Sequence, residues 1–236
     1  MAQIKEKDFI ELEYTGKIKE DNLIFDTTDE KVAKDNSLYE EGAEYKPIAI
    51  CVGQNQIING LDKAIVGKET GKSYTIEVSS EDAYGKKNAK LIQLISTSKF
   101  LKENIRPMPG LQVNIDGMMG TIKTVSGGRT LVDFNHPLAG KDLTYEIKIN
   151  RIITEDKEKI DSILKVNLGI KDAEVNIENK KAQIKTEQEM PKELQKELKK
   201  KIMELLPHLE EITIQKSEKK QEDLNTSNSS DKSKGG

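Results

Sequence analysis

The chain contains no tryptophan, one cysteine (Cys51) and two histidines, His136 and His208. A single cysteine excludes a disulfide framework and a thiolate cluster, and two distant histidines are too few for an imidazole site; no metal and no cofactor are expected. Cys51 itself reads as a small core hydrophobe in a strand. Aromatic residues make up only 4% of the 236 residues, whereas 33% are charged, a composition of small cores under a heavily solvated surface. The net charge of -3 provides no basic excess, which argues against nucleic acid or a membrane surface as partner. No apolar run approaches spanning length, and Met1–Lys7 lacks the apolar core of a signal peptide, so a cytoplasmic location is expected.

What is present is a series of short alternating segments. Ile10, Leu12 and Tyr14 alternate with Glu11, Glu13 and Thr15, the period of a half-buried strand. Gly16 to Asn22 reads as a turn, Leu23–Phe25 as a returning strand, and Asp26–Asp29 as its polar end. Glu30 to Lys46 is a charged loop with room for a helical turn. Ile48–Val52 is an apolar strand that leads into Gly53–Gly60 and Leu61. There Ile57, Ile58, Leu61, Ala64 and Ile65 recur at helical spacing, as in a short helix plugging a half-open sheet, with a glycine at each shoulder. Tyr74, Ile76 and Val78 alternate again, and Leu143, Tyr145, Ile147 and Ile149 resume the same style much later.

Between these the texture changes. Residues 86–135 carry short apolar strands joined by glycine turns, with Ser126-Gly127-Gly128-Arg129 the best hairpin signal. From Glu155 a helical face (Ile160, Ile163, Leu164, Leu168) is followed by a hairpin at Asn179-Lys180. A second helix with the stripe Leu194, Leu198, Ile202, Leu205 and a last strand at Ile212 and Ile214 complete the region. Residues 216–236 hold one apolar residue, Leu224, and read as a disordered tail. The expected class is α+β: an antiparallel half-barrel around a short helix (1–85 and 136–154), an inserted small all-β domain (86–135), and an α-β-β-α-β domain (155–215).

The segments Tyr14-Thr15-Gly16, Phe25-Asp26-Thr27-Thr28, Gly53-Gln54 with Ile57-Ile58-Asn59-Gly60-Leu61, Ala83-Tyr84-Gly85, and Tyr145 resemble the FKBP family of peptidyl-prolyl cis/trans isomerases in order and spacing. The break after Gly85 and the return at Asn135-His136-Pro137-Leu138-Ala139-Gly140 are similar to the SlyD-like branch, whose insert-in-flap domain carries chaperone activity. The C-terminal domain is similar to that of long archaeal members, where it is associated with dimerisation. The resemblance implies catalytic roles for Tyr14, Phe25, Asp26, Ile58, Tyr84 and Tyr145, with Ile48, Ile57, Leu61 and Leu138 lining a proline pocket. The Ile58 N–H and the Tyr84 hydroxyl would hold substrate carbonyls. Taken singly, Phe25, Ile48, Ile57 and Leu61 read equally well as core, and Asp26 as a turn former. Leu61 stands where many family members have tryptophan, which puts tight macrolide binding in doubt. The tail has no histidine or cysteine, so the branch's metal role is not carried over.

The implied partners are unfolded or nascent polypeptides with X–Pro bonds. The insert holds more apolar side chains than so small a unit comfortably buries. Leu94, Ile95, Phe100, Met108, Met118 and Met119 are the expected client surface, flexible Met side chains suiting promiscuous contact. The alternative is a holdase with a weak or vestigial isomerase pocket. The Leu194–Leu205 stripe either packs within its own domain or forms a homodimer contact.

Overall fold

A computed structural model describes residues 2–217, in two compact units that divide between Glu155 and Asp156. Among the described residues no helix is long and apolar enough to cross a membrane. The disordered-tail expectation falls, from residue 218 onward, outside the described residues; Lys216 ends a strand.

The first unit is built on β1 (Phe9–Ile18) and β9 (Leu143–Ile152), which pair antiparallel along their length. β4 (Ser73–Val78) pairs with the far side of β9. β2 (Ile24–Thr27) and β3 (Ile48–Cys51) share the other side of β1, β3 against Phe9–Leu12 and β2 against Thr15–Lys17. Because both halves of β1 have partners, the strand runs through Gly16 to Ile18, where a turn was expected. Alternation puts Leu12, Leu143, Tyr145, Ile147 and Ile149 on one buried face, and Glu146 and Lys148 on the wet one. Between β2 and β3, α1 (Glu30–Asp35) is capped by the Asp29 side chain, which accepts the Val32 N–H at 2.9 Å.

α2 (Asn59–Ile65) closes the apolar face, with Leu61 and Ile65 buried in its cluster. The helix begins later than expected, so Gly60 lies inside its first turn rather than at a shoulder. A Cβ at Gly60 would collide with the Val78 side chain, and the missing side chain lets the helix seat on β4. Residues 53–58 form a turn held from within the helix. Asp62, 3% exposed, accepts the N–H groups of Gly53 at 2.8 Å and Asn55 at 2.9 Å.

The chain leaves this sheet after β4 and returns before β9. In between, β5 (Ile92–Ser96), β6 (Gln112–Ile115), β7 (Met118–Ser126) and β8 (Arg129–Asp133) make a four-stranded antiparallel sheet in the order β5-β8-β7-β6. Gly127 and Gly128, at φ 55° and 73°, form the two-residue hairpin turn. The insert is not all-β: α3 (Thr97–Lys102) follows β5 and delivers Phe100 to the insert's core beside Val113, Ile122 and Val132.

The second unit comprises α4 (Asp156–Leu168), β10 (Glu174–Glu178), β11 (Lys181–Thr186), α5 (Lys192–Leu205) and β12 (Glu211–Lys216). β10 and β11 are a hairpin, and α5 crosses over to put β12 parallel to β11. Leu198, Ile202 and Leu205 are buried together with Val175, Ala182, Ile184, Ile212 and Ile214, and Leu194 is half-buried. The α5 stripe is therefore consumed inside its own unit and is not a free dimer face.

Candidate active site

β1 and β2 are locked together at the site by threonines. The Thr28 N–H donates to the Tyr14 carbonyl at 2.9 Å, and Thr28 Oγ1 accepts the Tyr14 N–H at 2.9 Å. The hydroxyls of Thr15 and Thr27 meet at 2.8 Å. This register sets Asp26 beside Tyr14, whose hydroxyl donates to Asp26 Oδ2 at 2.8 Å.

Gly16, between Tyr14 and Ile18 on β1, is a close-approach glycine. A Cβ there would lie 2.7 Å from Phe25 Cζ and 3.0 Å from Tyr145 Cε1. Its absence lets Phe25 and Tyr145 meet edge to face, with centroids 5.9 Å apart and planes at 86°. The Tyr14 ring stands 6.1 Å from Tyr145, tilted by 55°. Leu61, Leu138 and Tyr145 are buried members of the main cluster, and Tyr14, Phe25, Ile48, Ile57, Ile58 and Tyr84 pack against it partly exposed. Asp26 stands exposed at the rim. The structure thus gathers nine of the ten pocket and catalytic candidates in one apolar cluster and ties the tenth, Asp26, to it through Tyr14. Among the described residues the Ile58 N–H donates to no protein acceptor, which leaves a backbone donor free at the head of α2.

The three phenols have their acidity suppressed. Burial, then the Asp26 charge and hydrogen bond, push Tyr14 well above the ordinary tyrosine range. Burial, then Tyr84 and Asp26, do the same for Tyr145. Tyr84 is raised by burial and by Asp26, while its hydrogen bond with Tyr145 acts in the opposite sense. All three stay protonated at neutral pH and are O–H donors, not bases.

Sequence reasoning passed over several supports: the close approach at Gly16, the buried Asp62 that fixes the turn before Ile58, and His136, stacked on Tyr84. Any signal for them lay in local residue type alone, since each acts through a contact distant in sequence. The insert candidates divide. Leu94 (62% exposed), Met119 (58%), Met108 and Met118 lie on the surface. Phe100 is buried, and Ile95, opposite Leu94 on the pleat, packs against the insert's core, so neither belongs to an exposed client surface. Leu101 on α3 is an exposed apolar residue that the sequence reading did not select.

A separate cleft of about 880 Å³ lies between the α1 segment (Asp29, Glu30, Lys31) and the wet side of the sheet (Glu13, Thr15, Thr75, Glu146, Lys148). It shares only Tyr14 with the ten candidates. Its lining mixes Val32, Tyr45, Pro47, Tyr74 and Ile147 with a ring of carboxylates and lysines, and nine of the ten candidates lie outside it, so the aromatic cluster is the better candidate site despite the size of the cleft.

Comparison with known proteins gives a consistent picture. Residues 1–102 match the family described as FKBP-type peptidyl-prolyl cis-trans isomerase, and residues 93–138 match the FKBP26 IF domain. The chain is 33% identical over 155 residues to the short-type peptidyl-prolyl cis-trans isomerase of Methanocaldococcus jannaschii, covering 66% of this chain and 98% of that protein. It is 32% identical to a probable FKBP-type 16 kDa peptidyl-prolyl cis-trans isomerase of Pseudomonas fluorescens, covering 44% and 71% of the two chains. It is 34% identical to the FKBP-type peptidyl-prolyl cis-trans isomerase SlyD of Helicobacter pylori, covering 44% and 58%.

Proposed function

The chain belongs to the FKBP-type peptidyl-prolyl cis-trans isomerases, SlyD-like in kind, and on that premise we propose that it turns X–Pro bonds of unfolded or nascent polypeptides in the aromatic pocket while the insert holds the same chains. The observation that supports this reading is the gathering of the buried Leu61, Leu138 and Tyr145 in one apolar cluster with Tyr14, whose hydroxyl holds Asp26, and with Ile58, whose N–H is free.

The chemistry needs no nucleophile. Amide resonance sets a rotation barrier of about 18–20 kcal/mol. A planar amide is more dipolar than a twisted one, so transfer into an apolar pocket penalises the ground state more than the transition state. The proline ring fills the space between Phe25, Leu61 and Tyr145. The Ile58 N–H grips one carbonyl, and the Tyr84 hydroxyl a second. Asp26, held by Tyr14, faces the rotating carbonyl carbon as a fixed negative pole and accepts no proton. A rate gain of roughly a millionfold requires about 8 kcal/mol of such differential binding.

Client holding is supported by Leu94, Leu101, Met108, Met118 and Met119, all exposed on one small unit. A held client meets the pocket at the raised local concentration of a tethered ligand. Proline-limited refolding of a model protein tests both halves. The intact chain is compared with Asp26→Ala plus Tyr84→Phe, and with a short loop in place of residues 87–134. A dead pocket variant, together with a loop variant weak only on protein substrates, is the expected result. An intact chain that suppresses aggregation without accelerating refolding would leave a holdase and refute the pocket assignment.

A further inference from the structure

The His136 ring lies flat on the Tyr84 ring, with centroids 4.3 Å apart and planes within 4° of parallel. Tyr84 needs such a support. It sits in the loop after β4, half-buried, and the direction of its hydroxyl follows the tilt of its ring. His136, in contrast, is pinned on both sides. Its Nδ1 accepts the Leu138 N–H at 3.2 Å, reaching past Pro137, and its carbonyl accepts the Ala139 N–H at 2.9 Å. The preceding Asn135 is clasped to the outgoing segment before β5. Its Oδ1 accepts the Asn88 N–H at 2.8 Å, and its Nδ2 donates to the Asn88 carbonyl at 3.1 Å and to Asp133 Oδ1 at 2.8 Å. An Nδ1 that accepts places the ring proton on Nε2.

We propose that His136 is a positioning residue for the isomerase reaction: its stacked ring fixes the tilt of Tyr84 and so aims the Tyr84 hydroxyl over the proline pocket. The inference rests on the placement of Tyr84 in the site. The stack acts through ring area, so a different flat ring should serve, whereas a side chain that merely preserves the loop should not.

Three single variants of the full chain, assayed for kcat/KM on a short proline peptide with thermal unfolding in parallel, separate these roles. His136→Asn keeps an oxygen to accept the Leu138 N–H but has no ring, and kcat/KM should fall about three- to tenfold, the size of one aromatic stacking contact. His136→Phe keeps the ring, loses the acceptor, and should recover most of that loss. Tyr84→Ala should lower kcat/KM by at least as much as His136→Asn. Undiminished activity in His136→Asn, or equal damage in His136→Phe, would overturn the proposal and reduce His136 to a loop-capping residue. Undiminished activity in Tyr84→Ala would overturn it at its premise. Unfolding midpoints within a few degrees of the parent keep a folding defect from passing for either result.

Discussion

Gly16→Ala tests whether close approach, rather than backbone freedom, is what this glycine provides. The new Cβ would lie 2.7 Å from Phe25 Cζ and 3.0 Å from Tyr145 Cε1. Carbon atoms rest about 3.5–4.0 Å apart, so the rings must yield roughly 1 Å between them. Overpacking of this kind costs about 1–3 kcal/mol, and alanine returns about 0.5–1 kcal/mol because it is better placed in a strand than glycine. The net loss of stability should be about 1–2 kcal/mol. Catalysis should suffer more, since a 1 Å displacement of positioned groups reduces rate by up to about 100-fold. Gly120→Ala is the matched control. It places a Cβ 2.7 Å from Phe134 and Val132 in the insert, the same steric insult away from the pocket. Peptide isomerisation and thermal unfolding, measured on both variants, should show Gly16→Ala tenfold or more slower and Gly120→Ala unchanged on peptides. Equal activity in the two would refute the steric reasoning.

Three further perturbations read other parts of the structure. Asp62→Ala leaves the Gly53 and Asn55 N–H groups without their acceptor and should cost about 2–4 kcal/mol in denaturant unfolding, with Asp62→Asn intermediate. Tyr14 and Tyr145 hold their protons to higher pH than unfolded tyrosine, whose value is about 10. The stability contributed by the protonated phenols is complete below that pH and declines as pH rises toward the folded values. Unfolding midpoints should therefore fall above about pH 10, less steeply in Tyr14→Phe, while peptide isomerisation stays flat from neutrality up to that point; a midpoint that climbs would reverse the sign. Leu94→Ser with Met119→Ser should slow refolding of a protein client about threefold or more and leave peptide turnover unchanged, a contrast lost if these side chains do not hold clients.

The half-barrel could be read from the sequence because its strands obey period two with few exceptions: Ile10, Leu12 and Tyr14, then Tyr145, Ile147 and Ile149. What could not be read is which contact a given residue makes across the fold. Gly16 carries the ordinary signature of a turn, and only the convergence of Phe25 and Tyr145 shows that it serves a strand interior. Phe100 and Leu94 are equally apolar, yet one enters the insert's core from α3 and the other points out from edge strand β5. The α5 stripe reads the same whether it meets its own sheet or a second chain. The matching inward positions Ala182, Ile184, Ile212 and Ile214 decide for the former.

The place where the insert is grafted bears on how the proposed holding and turning would be coupled. The chain leaves the isomerase at Gly85 and re-enters at His136, and these points touch: Tyr84 stacks on His136, the Gly140 N–H donates to the Gly85 carbonyl at 2.7 Å, and the paired asparagines Asn88 and Asn135 close the gap beyond. An insertion whose ends are already held together adds little closure entropy to the host, since that cost grows only with the logarithm of loop length. The same geometry puts the insert at the pocket's own rim, because Tyr84 and Leu138 flank the two crossings. On the proposed reading, a client leaving the insert's apolar side chains would have a short path to the proline site, and its effective concentration there would depend on that path rather than on bulk concentration. Lengthening both crossings with flexible glycine-serine segments should thus preserve peptide turnover, provided the Tyr84–His136 stack is kept, while slowing protein refolding as the tether grows. Unchanged protein refolding with longer crossings would show that holding and turning are independent.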